Sequence, residues 1–313
     1  MPSGSTATVL DQRDSDGTAD PPTHALASTS TSPVRRKTSF ARRRRDLAAR
    51  TESELFFLRS LWKLQQAYVI HQGEDGANME YLASIHAMDL TLRRRLRILD
   101  ALQPYIHGRV LEWGCHNGLD SCVYRLRFGE SLELHGCDVV SPTAYRPYQA
   151  FSGQIYRQLD HPIALPYVAS TFDVVTSNGV LEHVPDDRAS IQEVHRVLRP
   201  GGLFLVTCLP NAWSYTEAVQ RWRGAPAHDR LYTLSRARAM LRAAGFEVIA
   251  TRYLFVIPTM LQGFPEHWRQ TYQSFQGVLL PLNAAFEQVW PFNRFASNLM
   301  LVARKSDAVR PSG

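Results

Sequence analysis

The chain has 313 residues, 44% hydrophobic and 20% charged, enough for one large α/β domain with additions, because single cores stop growing near ~250–300 residues. Its formal charge is +6, but residues 1–50 hold nine Lys/Arg against five Asp/Glu, so the tail carries +4 and the body is nearly neutral, which argues against a basic phosphate-gripping surface. No stretch approaches the ~18 apolar residues of a transmembrane segment, and the N-terminus lacks the apolar core of a secretion signal, so a cytoplasmic protein is expected.

Residues 1–50 are rich in Ser, Thr, Pro, Asp and Arg, too poor in large apolar groups to offset their ordering entropy, and read as a disordered basic tail. Arg42 to Arg45 close it as a solvated charge run. Residues 51–105 read as N-terminal helices: Leu55, Leu58, Trp62 and Val69 recur at helical spacing, as do Ile85, Met88, Leu92, Leu96 and Leu99.

From residue 106 strands alternate with helices, the pattern of a mostly parallel sheet. Strands are expected at Arg109 to Trp113, Leu132 to Asp138, Ile155 to Leu159, Phe172 to Ser177, Leu203 to Leu209, Phe246 to Val256 and Leu299 to Ala303. One helix should start at an Asp186 or Asp187 cap and stop at Pro200-Gly201-Gly202; another should run from Thr233 to Ala244, ending at Gly245. Residues 257–296 form an aromatic-rich helical insert, read as a substrate lid, a dimer surface or ordinary packing on the sheet. Residues 306–313 are a second tail.

Glu112-Trp113-Gly114-Cys115-His116-Asn117-Gly118 follows a strand and precedes a helix, where glycines let the backbone turn sharply and approach a ligand. Asp138 ends the second strand, where a carboxylate can accept bonds from the hydroxyls of an adenosine ribose. Both features suit nicotinamide cofactors as well. The four cysteines, Cys115, Cys122, Cys137 and Cys208, form no CxxC pair and read as reduced thiols.

Downstream the chain carries Leu165-Pro166, Phe172-Asp173, Ser177, Val180-Leu181-Glu182-His183-Val184 and Arg196-Val197-Leu198-Arg199-Pro200-Gly201-Gly202. In this progression it resembles the class I S-adenosylmethionine-dependent methyltransferases, over roughly Val110 to Val256. The resemblance implies a Rossmann-like three-layer sandwich with a seven-stranded, mostly parallel sheet and an antiparallel last strand, occupying residues 106–305. It also implies S-adenosyl-L-methionine as cofactor. A nicotinamide dehydrogenase would leave Val180 to Val184 and the Pro-Gly-Gly turn without a role.

The resemblance places Glu112, Gly114, Cys115, His116 and Gly118 around the methionine part of the cofactor. It puts Asp138 and Val139 at the ribose, Asp160 near the adenine amine, and Asn178 and Gly179 at the methionine end. His116 departs from the family, which has glycine there; its side chain must angle away from the ligand or contact it, and a non-catalytic relative that keeps the fold is one alternative. His183 is the candidate base or substrate contact, since imidazole titrates in the range that deprotonating an acceptor requires. Tyr215, His228 and Tyr232 follow the fifth strand, in a region that in the family often faces substrate. No metal is expected, because His183 and His195 lack ligand spacing. The expected partner is a small-molecule acceptor; a nucleic-acid methyltransferase or binder using the Arg42 to Arg45 run is the other alternative, and the oligomeric state is left open.

Overall fold

The computed structural model describes residues 40–72, 83, 85–141, 145–258, 261 and 264–306. Residues 1–39 and 307–313, which hold most of the first expected tail and nearly all of the second, lie outside them. Helix α1 spans Phe40–Gln72 and so begins inside the segment read as tail. The reason is local: Arg42 to Arg45, Leu47, Ala48, Ala49 and Arg50 are strong helix formers, and the charge run that suggested disorder does not oppose a helix. Helix α2, Asp89–Leu102, buries Leu92, Leu96 and Leu99 as its spacing requires.

The alternating segment forms β1 (Arg109–Trp113), α3 (Leu119–Phe128), β2 (Glu133–Asp138), α4 (Arg146–Ser152), β3 (Ile155–Gln158), β4 (Phe172–Asn178), α5 (Asp187–Val197), β5 (Leu198–Pro210), α6 (Tyr215–Trp222), α7 (Leu234–Ala243), β6 (Phe246–Leu254), α8 (Glu266–Ser274), α9 (Gln276–Phe286) and β7 (Asn298–Lys305). The sheet runs β3-β2-β1-β4-β5-β7-β6, and β7 is antiparallel to both β5 and β6. This is the Rossmann-like methyltransferase arrangement that the resemblance implied. Its strand order reverses between β1 and β4, which pair in parallel at Leu111 and Val175, and a reversal opens a crevice outside the carboxyl ends of the strands.

Alternate side chains of each strand enter opposite layers. Val110, Val174 and Leu205 join Leu55, Leu58, Leu96 and Leu99 on the face covered by the N-terminal helices. Leu111, Val175 and Phe204 join Ile191, Val194 and Leu241 on the other. The N-terminal helices therefore supply one wall of the core.

Helix α5 starts where the sequence indicated: the Asp186 carboxylate accepts from Arg188 N–H and Ala189 N–H. Its end differs. The helix stops at Val197 with Leu198 as cap, and Pro200-Gly201-Gly202 falls inside β5, where Leu198 pairs with Phe172 before a register shift. A Cβ on Gly202 would stand 2.9 Å from the Arg199 carbonyl oxygen, so the glycine serves close strand packing as well as the turn. Helix α7 ends before Gly245 as expected, with Thr233 as its cap.

The insert is tied down through polar groups. Asn283 is buried and accepts from Ile257 N–H at 2.9 Å, Glu287 accepts from Phe255 N–H at 2.7 Å and pairs with Arg97 of α2. Of its aromatics, Trp268, Phe275 and Trp290 are exposed, whereas Tyr272 is half-buried and donates to Pro258 O at 2.7 Å. Among the described residues, no helix is long and apolar enough to cross a membrane.

Candidate active site

The turn after β1 is held against the end of β2. Gly114 N–H and Cys115 N–H both donate to the Cys137 carbonyl, at 2.9 and 3.3 Å, and His116 N–H donates to Asp138 Oδ2 at 2.7 Å. Gly114 and Gly118 have φ of 69° and 76°, a region that favours glycine. A Cβ on Gly114 would stand 2.3 Å from Val180 Cγ2, so absence of a side chain there is what lets the β1 turn meet the β4 turn.

His116 occupies the same left-handed region, φ 47°, so the backbone keeps the conformation that glycine would take at a cost of about 1–2 kcal/mol. Its ring lies against Tyr145, centroids 4.9 Å apart, with Nε2 3.3 Å from the Tyr145 hydroxyl. The departure from the family is thus absorbed by a neighbour at the start of α4. Burial holds the imidazole below its usual range, with Asp138 opposing.

Asp138 takes Val139 N–H at 2.7 Å on Oδ1 and His116 N–H on Oδ2. Val140 N–H also donates to Oδ1 at 3.3 Å, so of the about four acceptor positions of a carboxylate one stays open on Oδ2 for a ribose hydroxyl. Val139 beside it is 67% exposed, an apolar surface suited to a flat ring. These features fit the adenosine of the implied cofactor. Asp160 is exposed in the segment after β3, and next to it His161 Nδ1 accepts from Ile163 N–H and Ala164 N–H.

Glu112 faces inward. Its Oε2 accepts from Ser121 Oγ at 2.5 Å and Ser121 N–H at 3.1 Å, which fastens the turn to α3. Burial, reinforced by Asp120, pushes its carboxyl up to about 8. Asp120 is also buried and pairs with Arg95 Nε at 2.5 Å, while Asn178 Nδ2 donates to its other oxygen at 3.3 Å. Arg95 and Asp120 were not singled out from sequence; the run Arg93-Arg94-Arg95 on α2 was the available signal, since three adjacent arginines on a core helix cannot all reach open solvent.

Beyond β4, Gly179 turns with φ 69°, and a Cβ there would lie 3.5 Å from Glu182 Oε1. The Glu182 side chain is only 2% exposed and its Oε1 is 4.0 Å from His183 Nε2. Its Oε2 has no hydrogen-bond partner, and burial pushes the carboxyl up to about 7. His183 is 65% exposed, held below its usual range by burial and then by repulsion from His228. The fold brings His228 to this mouth, ring centroid 6.0 Å from that of His183, with Nδ1 2.7 Å from Glu217 Oε1. One ligand atom from each of Glu182, His183 and His228 lies within 4.8 Å of the others.

His195, in contrast, packs edge-on against Phe246, and it is His228 that stands beside His183. Tyr232 is buried and structural, its hydroxyl 3.0 Å from Leu181 O and 2.9 Å from Asp187 Oδ2. Tyr215 is exposed at the start of α6.

A family model described as a methyltransferase domain matches residues 81–251, just over half of the chain. The ubiquinone biosynthesis O-methyltransferase of Idiomarina loihiensis is 33% identical over 172 residues, 50% of this chain and 68% of that protein. The protein of the same name from Pseudomonas aeruginosa is 35% identical over 135 residues, 40% of this chain and 55% of its own length. The matched region thus spans between about half and two thirds of these relatives. A Galdieria sulphuraria protein described as a sarcosine dimethylglycine methyltransferase superposes with a TM-score of 0.50 at 12% identity, covering 74% of this chain and 99% of that one, a likeness of fold. With the sheet order, the glycine turn and the family match in agreement, the chain belongs to the methyltransferase-domain family and is a class I S-adenosylmethionine-dependent methyltransferase.

Proposed function

We propose that this enzyme methylates an oxygen of a small-molecule acceptor. The observation that carries the reading is the grouping of Glu182, His183 and His228 directly beyond Gly179, at the open end of the crevice. The names of the curated relatives, O-methyltransferases in ubiquinone biosynthesis, and the nearly neutral body support it.

S-adenosylmethionine supplies a methyl group on a positively charged sulfur. What the chain supplies is position: an acceptor lone pair must lie in line with the carbon–sulfur bond, and holding that alignment provides much of the acceleration. With the cofactor bound, the new oxygen–carbon bond would replace the carbon–sulfur bond, whose electron pair would stay on sulfur. A hydroxyl also loses its proton, and it is a poor nucleophile until it does. Glu182, His183 and His228 are the groups placed to promote that loss, whereas Asp138, Gly114 and Gly118 hold the cofactor and Glu112 positions the turn.

The test is production of S-adenosylhomocysteine from S-adenosylmethionine with a panel of small phenols and catechols, against RNA and DNA. Turnover with hydroxylated small molecules that shows an O-methyl product by mass spectrometry is the expected result. Turnover on nucleic acid alone, or an N-methyl product, would contradict the reading.

A further inference from the structure

We infer that the outer face of α8 and α9 is the contact through which two copies of this chain pair about a twofold axis. The inference rests on the chemistry of that face, and it holds whatever acceptor the enzyme methylates.

Helix α9 is reversed relative to an ordinary surface helix, which turns its apolar stripe to the core and its polar side to water. Among the residues of α9 only Asn283 is buried. Its Oδ1 accepts from Ile257 N–H and its Nδ2 donates to Glu287 Oε1 at 2.8 Å. Val278 and Leu282, 59% and 44% exposed, lie one turn apart on the opposite side. Phe275, the residue that joins α8 to α9, and Trp268, seven residues before it, are each 58% exposed and share one stripe of α8. Trp290 and Phe292 follow α9 and are exposed too, with the Phe292 ring 5.4 Å from that of Phe286.

The face is held in place from behind. Asp89 N–H of α2 donates to Gln273 Oε1 at 3.0 Å, Tyr272 to the Pro258 carbonyl, and Glu287 pairs with Arg97; a lid would have to break these bonds to move. Charge and area decide what covers it. Residues 270–286 and 288–293 hold no Asp, Glu, Lys or Arg, so the face repels nothing of its own kind, as an isologous contact requires when it sets a patch against itself. The charges at its edges, Glu266, Arg269 and Arg294, are of both signs, as at the rim of a protein interface. A lipid surface would instead favour many Lys and Arg beside the aromatics. Residues 1–39 contain no aromatic residue and are a poor match for an aromatic face. With about 150–250 Å2 on each aromatic side chain, the six exposed apolar side chains present on the order of 600 Å2. That reaches the upper end for a monomer's largest patch and, with polar neighbours, approaches the about 800 Å2 that each partner of a standard interface buries.

Analytical ultracentrifugation of the full-length chain from about 1 to 100 μM tests the pairing, with Val278→Glu and Leu282→Glu on the face and Leu64→Glu, at an exposed position of α1, as control. Thermal unfolding confirms that each variant is folded, and the substituted side chains are all exposed. The expected result is twice the 35.4 kDa chain mass for the wild type and Leu64→Glu. Each face variant should shift toward monomer, its dimer dissociation constant raised at least about tenfold because a twofold axis introduces the charge twice. A wild type that stays monomeric throughout overturns the proposal. So does a dimer that both face variants leave unchanged, or a mass that keeps growing with concentration. Flotation with vesicles of phosphatidylcholine and phosphatidylglycerol is expected to leave the protein unbound; a monomer that floats, and ceases to in Leu282→Glu, would assign the face to a lipid surface and overturn the pairing.

Discussion

The two ends of the crevice are built differently. The cofactor end is a continuous strand, turn and helix, β1 through α3, closed by one residue of the neighbouring strand, Asp138. The acceptor end is assembled from separate stretches: Glu182 and His183 after β4, Glu217 on α6, and His228 in the loop that follows it. A site made of consecutive residues is fixed by local backbone geometry, whereas one made of distant residues exists only once the sheet has formed. The first end is accordingly interior and hydrogen-bonded, and the second presents an exposed imidazole beside a buried carboxylate lacking one partner.

If the cofactor end depends on backbone contact, Gly114→Ala should be the most damaging single change in it. The new Cβ would stand 2.3 Å from the stiff Val180 side chain, at φ 69°. Positive-φ strain and overpacking together come to about 2–5 kcal/mol, with cofactor affinity lost alongside stability. Gly224→Ala is the control: φ is 73° but nothing lies within 4 Å, so denaturant midpoints should fall less. Equal losses in the two variants would show that the contact between the β1 and β4 turns does not matter.

A smaller effect depends on pH and lies among the N-terminal helices. His86 stacks on Trp62 with centroids 4.9 Å apart and meets the Tyr148 hydroxyl at 3.2 Å, on the helix that packs against α3. Burial lowers its pKa from 6.5 to about 4. The folded state therefore binds this proton less readily than the unfolded state. The stability this group contributes is present in full above pH 6.5 and is lost as pH falls toward 4, by no more than about 3 kcal/mol. Urea denaturation between pH 4 and 7 should show that slope in the wild type and a shallower one in His86→Phe. An identical slope in the variant would remove His86 from the account.

What the sequence made legible follows the same division. Strand β1, the glycine turn, Asp138 and the Asp186 cap are local patterns, and the structure places them within a residue or two of expectation. The start of α1 was obscured because arginines suit both a solvated tail and a helix. The Pro-Gly-Gly segment misled because a helix terminator and a tight strand entry need the same residues. His228 stands 45 residues beyond His183 in the chain, and no spacing rule links them; only the packing of the loop after α6 against the β4 turn does. Arg95 and Asp120 escaped for a similar reason, as their pairing joins an N-terminal helix to the first helix of the sheet domain.

The central claim is that the β1 turn and Asp138 together hold S-adenosylmethionine. Calorimetric titration of S-adenosylhomocysteine into the wild type and Asp138→Ala, with NAD as the comparison ligand, tests it most directly. The expected result is binding of the sulfur nucleotide and none of NAD, with affinity reduced at least about tenfold in the variant, since one hydrogen bond to a charged acceptor contributes about 1.5–3 kcal/mol. Equal affinity in the two proteins, or binding of NAD in place of S-adenosylhomocysteine, would contradict it.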